Sequence, residues 1–198
     1  GQSKRVSYMG QELGPVEWRI RPSALLMLRV EYRLQFSSPE NNGHVNIGIR
    51  SGSDVYGHGL DMRLVPDRLV NTFSPVAIQT RGVMNLVLER FEFTSAGARG
   101  VTGTALWQDA AIESPLVLPL GDVELALESR DEDLVATVTR GGDLGLSGEM
   151  LLQPGDRYVL DLVLRPNDSV GSEVESLLES TMPRHPAGGY QLKTNGSF

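Results

Sequence analysis

The stretch VEYRLQF, residues 30–36, decides the fold class. Its apolar and polar side chains alternate strictly, with Val30, Tyr32, Leu34 and Phe36 on one side and Glu31, Arg33 and Gln35 on the other. An extended backbone points successive side chains to opposite faces of a sheet. The stretch therefore predicts an antiparallel strand with one buried face and one solvated face.

The same period of two recurs along most of the chain. It appears in VEWRIR from Val16, HVNIGIR from His44, VELALE from Val123 and YVLDLVLR from Tyr158. Turn residues separate such runs, as in QPGD at 153–156. We therefore expect a mainly β protein whose antiparallel strands form one or more curved sheets.

Two segments have the apolar spacing of a helix instead. The first is VPDRLVNTF, residues 65–73, with a proline in the first turn, and the second is SEVESLLESTM, residues 172–182. The second segment also begins with Ser172 and, three residues later, Glu175. This spacing predicts a capping box, in which each of the two side chains accepts a hydrogen bond from a free amide of the first turn.

Two parts of the chain resemble each other in the order of their pieces. LGPVE from Leu13 is echoed by LGDVE from Leu120, and each opens an amphipathic strand. A strand, a proline and a predicted helix follow in both parts, with Pro66 and Pro166 in matching places. The order predicts two degenerate repeats with one short helix each, about 13–112 and about 113–198. Chance similarity between short β segments is the alternative.

Composition excludes several classes of function. The chain has 198 residues and a formal net charge of −7, which opposes broad binding to nucleic acid or to an anionic membrane surface. It has no cysteine, which excludes thiol catalysis, zinc–thiolate sites and disulfides. Hydrophobic residues make up 40% of the chain, as in an ordinary globular domain.

The histidines do not form a convincing catalytic or metal site. There are three, and His44 and His185 lie in a predicted strand and a predicted loop. His58 has Asp54 and Asp61 nearby in sequence, but no second cluster completes a ligand shell. We therefore interpret His58 as a surface histidine in a turn and expect that the protein is not an enzyme.

Other candidate binding features also have structural explanations. Residues 131–133, Asp-Glu-Asp, lack the spaced ligands of a calcium loop and predict a polar hairpin tip. The glycines form no phosphate-binding motif and suit turns and bulges. Trp18 and Trp107 stand in acidic surroundings and are predicted to pack against the sheet. We expect no cofactor and no metal ion.

Five stretches carry a resemblance to a known family: LGPVEWRIRPSALL from Leu13, GVTGTALWQDAAI from Gly100, LPLGDVELAL from Leu118, GGDLGLSGEMLLQPGDRYVLDLVLRP from Gly141 and GGYQLKTNGSF from Gly188. Taken in this order, they resemble the type II secretion system protein N family, also called general secretion pathway protein N, of Gram-negative bacteria. They cover nearly the whole chain. The family's short cytoplasmic segment and membrane helix are not recognisable at the front.

The resemblance implies a cellular place and an architecture. It implies a bitopic inner-membrane protein whose single β-rich domain, here 1–198, lies in the periplasm, with the N-terminal membrane anchor outside this sequence. It also implies a fold similar to the AsmA-like group, in which a curved sheet carries an apolar inner surface.

The resemblance implies an accessory role in exporting folded exoproteins through the secretin. Its partners would then be other secretion subunits, either the inner-membrane platform or the periplasmic domains of the secretin. The family brings no catalytic residues to carry over. The alternative is a lipid-binding or lipid-transfer module that uses the apolar face of the sheet.

Overall fold

A computed structural model of the protein shows one curved antiparallel sheet in which every strand pairs with its neighbours in sequence. The described residues are 1–8, 11–25, 30–38, 41–50, 54–66, 78–114, 117–167 and 170–197. The strands are β1 (Gln2–Tyr8), β2 (Gln11–Ile20), β3 (Glu31–Ser37), β4 (Asn42–Ile49), β5 (Val55–Leu64), β6 (Gln79–Thr94), β7 (Gly97–Ser114), β8 (Leu118–Arg130), β9 (Asp133–Gly141), β10 (Ser147–Gln153), β11 (Arg157–Leu164) and β12 (Tyr190–Ser197). The helices in these ranges are α1 (Pro22–Leu25) and α2 (Ser172–Thr181).

The predicted mainly β, antiparallel fold is confirmed. Residues 31–36 of VEYRLQF lie in β3, while Val30 precedes the strand and is exposed instead of buried. The runs that start at Val16, His44, Val123 and Tyr158 lie largely in β2, β4, β8 and β11. The turn predicted at 153–156 joins β10 to β11. Alternation succeeds as a predictor here because one face of each strand is packed and the other is solvated.

Across the middle of the sheet, strand register gives an apolar face and a mainly polar face. Residues that pair directly across antiparallel strands lie on the same face. One continuous row crosses β2 to β9 and contains apolar residues and glycine: Val16, Phe36, Gly43, Met62, Leu86, Ala105, Leu125 and Val138. The neighbouring row, on the opposite face, crosses β2 to β12 and is mainly polar: Glu17, Gln35, His44, Asp61, Val87, Thr104, Ala126, Thr137, Glu149, Asp161 and Lys193.

Bulges on adjacent strands contribute to the curvature. Gly82, Asp109 and Gly121 lie on β6, β7 and β8, and all three have positive φ. The register between these strands shifts at the same places. Gly59 and Gly100 mark a second set on β5 and β7, again beside shifts in register. Since a bulge bends its strand and increases the local twist, aligned bulges curve the whole sheet.

Helix α2 covers one end of the apolar face. Leu178 is 0% exposed and belongs to a core cluster with Leu144, Leu164 and Tyr190. Trp107 packs against this cluster from β7. Burying a leucine side chain fully stabilises the fold by about 1.5 to 3 kcal/mol. Val174 and Leu177 of α2 pack against the same cluster. A second, smaller apolar cluster forms nearer the other end around Leu88, Ala98 and Val101.

The helix predictions have mixed outcomes. The helix predicted at 172–182 is confirmed, but its predicted capping box is wrong. Gly171 takes the N-cap position with extended backbone angles, φ −63° and ψ 147°, so Ser172 is already inside the helix and caps nothing. The helix predicted at 65–73 lies outside the described residues from 67 onward. The short α1 was not predicted.

The positions of the proposed repeats agree with a division of the sheet into halves. Leu13 lies in β2 and Leu120 in β8, while Pro66 follows β5 and Pro166 follows β11. Both pairs are six strands apart in a meander of twelve. This spacing supports a duplicated unit of six strands, and the duplication itself stays a prediction.

Candidate interaction surfaces

The polar face of the second half of the sheet carries paired charges. Ion pairs join Arg130 to Glu149 at 3.4 Å and Lys193 to Asp161 at 2.8 Å. The two cations are largely exposed and the two carboxylates are partly exposed, so each pair contributes little to stability. Their effect is to keep this face charged and hydrated, which suits reversible contact with a polar partner surface.

Two carboxylates of this face have a lowered pKa. The main cause at Glu149 is the side-chain hydrogen bond that Arg130 donates. The pKa of Asp161 is lowered first by the hydrogen bond from Lys193 and then by one from Gln191. A donor that binds the charged form of a carboxyl group favours ionisation. Both groups therefore favour the folded state while they are ionised.

These lowered pKa values predict a loss of stability in acid. As pH falls below an ordinary carboxyl pKa of about 4, these two groups bind protons in the unfolded chain before they do so in the folded one. Their contribution to the free energy of unfolding is therefore present above that pH and is lost as pH falls through the folded pKa values. We expect the double variant Glu149→Gln and Asp161→Asn to show a smaller loss between about pH 6 and pH 3 than the wild type. Urea unfolding midpoints at both pH values measure this effect.

The matched control for the acid experiment is Glu173→Gln with Glu175→Gln. Both glutamates are exposed in the first turn of α2, and the substitution changes the net charge by the same amount. The control should retain the acid loss of the wild type. Equal acid loss in the control and in the double variant would contradict the role given to Glu149 and Asp161.

A buried charge cluster lies on the polar face of the first half. Glu31 is only 9% exposed and accepts a hydrogen bond from Arg21 at 3.1 Å. Nη1 of Arg21 also lies 2.9 Å from Nε2 of His58. Asn46, itself buried, donates to the backbone oxygen of His58 at 3.3 Å and accepts from Arg33 at 3.3 Å. The cluster ties β3, β4 and β5 to the residue that follows β2.

His58 was predicted to lie in a surface turn, and that placement is wrong. The residue lies within β5, next to the bulge at Gly59, and its ring is half-exposed. Its ring contacts are Arg21 and Glu31, which come from distant parts of the sequence and could not be found from local spacing. The alternation in VEYRLQF places Glu31 on the polar side of its strand, but alternation does not show that this side chain is buried.

The remaining sequence candidates lie where they were predicted. His44 is exposed on β4, and His185 lies in the loop before β12. Asp131 and Glu132 form the hairpin tip between β8 and β9, and Glu132 pairs with Arg99. Among the residues that the structure describes, no group of three His, Asp or Glu side chains could hold a metal ion.

Of the two tryptophans, Trp107 packs at the edge of a core cluster. Trp107 is half-buried, and its Nε1 donates to the backbone oxygen of Arg81 at 2.9 Å. Trp18 is half-buried on β2, and its backbone exchanges hydrogen bonds with Gly1. The predicted packing role of Trp107 is confirmed, although its ring is only half-buried, and the packing role of Trp18 stays a prediction.

An open cleft lies at the end of the strands that is opposite α2. It has a volume of about 410 Å³ and lies among the tips of the β6–β7, β8–β9 and β10–β11 hairpins. Apolar side chains of Phe93, Leu134 and Leu152 line it, together with the polar Gln153 and Asp156. Phe93 remains 40% exposed. The cleft is thus an apolar surface with a polar rim.

The two edge strands of the sheet differ in regularity. The pairing of β1 with β2 shifts register twice, between Ser3 and Val6 and between Val6 and Ser7. The pairing of β12 with β11 runs without a shift from Tyr190 to Ser197. A regular edge strand presents an ordered row of backbone donors and acceptors, whereas an irregular one does not.

None of the helices in the described ranges is long and apolar enough to cross a membrane. Three candidate surfaces lie on the sheet: the charged face, the apolar cleft and the regular edge. Each could bind another molecule, and none of the three has the constellation of groups that identifies an active site.

Comparisons with known proteins identify the family. The family model for the type II secretion system (T2SS), protein N, matches residues 1–193. Type II secretion system protein N of Aeromonas hydrophila is 25% identical over 207 residues, which cover 99% of this chain and 79% of that protein. The protein of the same name from Vibrio cholerae serotype O1 is 23% identical over 206 residues, covering 100% of this chain and 81% of its own length. No solved structure gives a significant match. Because the family model extends over nearly the whole sequence, the chain belongs to the type II secretion system protein N family.

Proposed function

We propose that this protein is a non-enzymatic accessory component of the bacterial type II secretion system, which docks on other secretion subunits in the periplasm. The family match over residues 1–193 carries the proposal. Docking would support the export of folded exoproteins across the outer membrane. The partners we propose are the inner-membrane platform or the periplasmic domains of the secretin.

The periplasmic placement rests on the resemblance described above. We propose that the β-rich domain lies in the periplasm and that an N-terminal membrane helix, outside this sequence, anchors the full-length protein in the inner membrane. The charged and hydrated polar face is consistent with a domain that works in water and meets polar partner surfaces.

A non-enzymatic role agrees with the contacts that the charged side chains make with one another. Arg21, Glu31 and His58 form a charged cluster and contact one another although they are distant in sequence. Glu31 is buried and paired, and we propose that its carboxylate serves the fold instead of a substrate. We therefore assign the protein a binding role, to be tested at its surface.

Site-specific photocrosslinking tests the docking role. A photoreactive amino acid would be placed at exposed positions of the polar face, Glu17, His44 and Thr104, and at Asn195 on the β12 edge. The full-length protein in its own host should form crosslinks whose second partner mass spectrometry identifies as a secretion subunit. The control position is Val123, which is buried on the apolar face. Crosslinks to no secretion subunit from any exposed position would refute docking.

A second candidate function is lipid binding, and the cleft at the hairpin end is the observation that favours it. Phe93, Leu134 and Leu152 present an apolar surface there, and Phe93 is partly exposed. On β10 the side chains of Met150 and Leu152 are only half-buried. An acyl chain would cover such a surface favourably. This candidate also depends on the AsmA-like resemblance, which stays a prediction.

Lipid extraction distinguishes the second candidate from the first. Protein purified without detergent would be extracted with organic solvent and the extract quantified by mass spectrometry. Lipid binding predicts about one lipid per chain and a loss of that lipid in Leu152→Asp, because the carboxylate cannot be buried against an acyl chain. The control Gln153→Asp places a carboxylate on the polar rim and should keep the lipid. An extract without stoichiometric lipid would exclude this function.

A further inference from the structure

The β12 edge is the more receptive of the two sheet edges. Natural sheets protect exposed edges with bulges, prolines or short strands. The register shifts near Val6 protect β1 in this way, but the eight residues of β12 pair with β11 without any shift and include no proline. Lys193 is the one charged side chain on β12. The strand is therefore a regular template for one more strand.

Part of the outer side of β12 is already covered by the chain itself. The backbone N–H of Gln191 donates to the oxygen of Pro183 at 2.8 Å, and Arg184 forms a bridge with Tyr190. In the part of the chain that the structure describes, this covering segment ends before Leu192. The available edge is consequently Leu192–Ser197.

Backbone groups of alternate residues point outward along this edge. Because the N–H of Gln191 points away from β11, the alternation of an antiparallel ladder directs the N–H and C=O groups of Lys193, Asn195 and Ser197 the same way. Each of these residues offers one donor and one acceptor to an added strand. An extended segment of about six residues would satisfy all of them.

We propose that an extended segment of another protein adds to β12 as a further strand, with an acidic residue opposite Lys193 and an apolar residue opposite Leu192. This inference rests on the docking role proposed above and names its surface and the chemistry of the partner. The added segment would pair with Leu192–Ser197 and continue the sheet beyond β12. The choice of partner segment would depend on Lys193 on the polar face of the sheet and on Leu192 on the apolar face.

Charge on the polar face explains the preference for an acidic residue. Lys193 ends the row that contains Glu149 and Asp161, and its side chain is 66% exposed. Asp161 lies beside Lys193 on the neighbouring strand β11. On the other side of Lys193, a residue of the added strand would lie directly opposite it. A carboxylate there would pair with the amine, whereas a second amine would be repelled.

The apolar face explains the other half of the pattern. Leu192 is half-buried and packs against the core cluster that includes Leu164 and Tyr190. An apolar side chain directly opposite Leu192 would extend that cluster and be removed from water. Since neighbouring residues of a strand face opposite sides, the partner segment should have an acidic residue next to an apolar one.

A pair of short peptides tests this inference on the folded chain. The probe is the capped peptide Thr-Val-Glu-Val-Thr-Val, and the comparison peptide has lysine in place of glutamate. We expect the glutamate peptide to bind at least about tenfold more tightly by NMR titration. It should also slow hydrogen exchange at the amides of Lys193 and Asn195.

Two variants make the test specific to the edge. Asn195→Pro removes an outward N–H without removing a hydrogen bond to β11, and it should weaken binding about tenfold or more, while Asn195→Ala should bind like the wild type. Lys193→Glu should reverse the preference in favour of the lysine peptide.

Binding that is equal for the two peptides, or unaffected by Asn195→Pro, would overturn the inference. If the peptides fail while photocrosslinks from the polar face still identify secretion subunits, strand addition is refuted and docking stands.

Discussion

Replacing Gly142 by alanine will lower the free energy of unfolding by at least about 3 kcal/mol. Gly142 follows β9 with φ +59°, a left-handed conformation that L side chains rarely adopt. A Cβ atom there would lie 1.8 Å from the backbone oxygen of Leu120, so the strand end of β8 would have to move. Urea unfolding followed by circular dichroism measures the change.

Gly100→Ala is the matched control for that experiment. Gly100 has a similar backbone angle, φ +56°, but a Cβ atom there meets no other atom within 4 Å. Its cost should be the left-handed conformation alone, about 1 to 2 kcal/mol. Equal losses in the two variants would mean that the contact with Leu120 contributes nothing, which would contradict the close approach of β8 to the turn after β9.

Replacing Leu178 by alanine will lower the free energy of unfolding by about 2 to 5 kcal/mol. The side chain is fully buried between α2 and the apolar face, in contact with the cluster around Leu144 and Tyr190. The variant loses the transfer free energy of the removed carbons and leaves a cavity beneath the helix. Urea unfolding and thermal unfolding should both show the loss.

Ser180→Ala provides the control within the same helix. Ser180 is exposed, and its hydroxyl group donates to the backbone oxygen of Leu177 within the helix. Its removal should change stability by less than about 0.5 kcal/mol. A stability loss in Leu178→Ala no larger than this would show that α2 does not pack on the sheet, and the arrangement of the core would have to be revised.

The fold class was predictable from sequence because each strand has two different surroundings. VEYRLQF separates apolar from polar side chains by parity alone, and the same parity held in the runs from Val123 and Tyr158. The glycines were predicted to suit turns and bulges, and Gly82, Gly100 and Gly121 have the positive φ that bulges and turns use. Local chemistry was sufficient for these features because each involves residues close in sequence.

Features that depend on distant residues could not be predicted. Glu31 becomes buried because Arg21 and His58 are brought to it by the pairing of β3, β4 and β5. A period-two pattern assigns Glu31 to the polar face, but it carries no information about which strands lie beside it. The capping box failed for a smaller reason, since Gly171 takes the N-cap position one residue earlier than expected.

The receptive edge is also a property of the assembled sheet. The sequence YQLKTNGS of β12 has the pattern of one more amphipathic strand, and nothing in it shows that this strand lies at the end of the strand order. The difference from β1 emerges only when the register of both edge strands is compared. A docking surface defined by strand order therefore requires the fold.

Secretion itself tests the central claim most directly. The full-length gene would be deleted in its own host and restored from a plasmid, and exoproteins would be quantified in the medium and in the periplasm. We predict that the deletion retains exoproteins in the periplasm and that the plasmid restores their export, while a plasmid carrying Asn195→Pro restores less of it. Unchanged export after deletion would contradict the account of this protein as a working part of the secretion system.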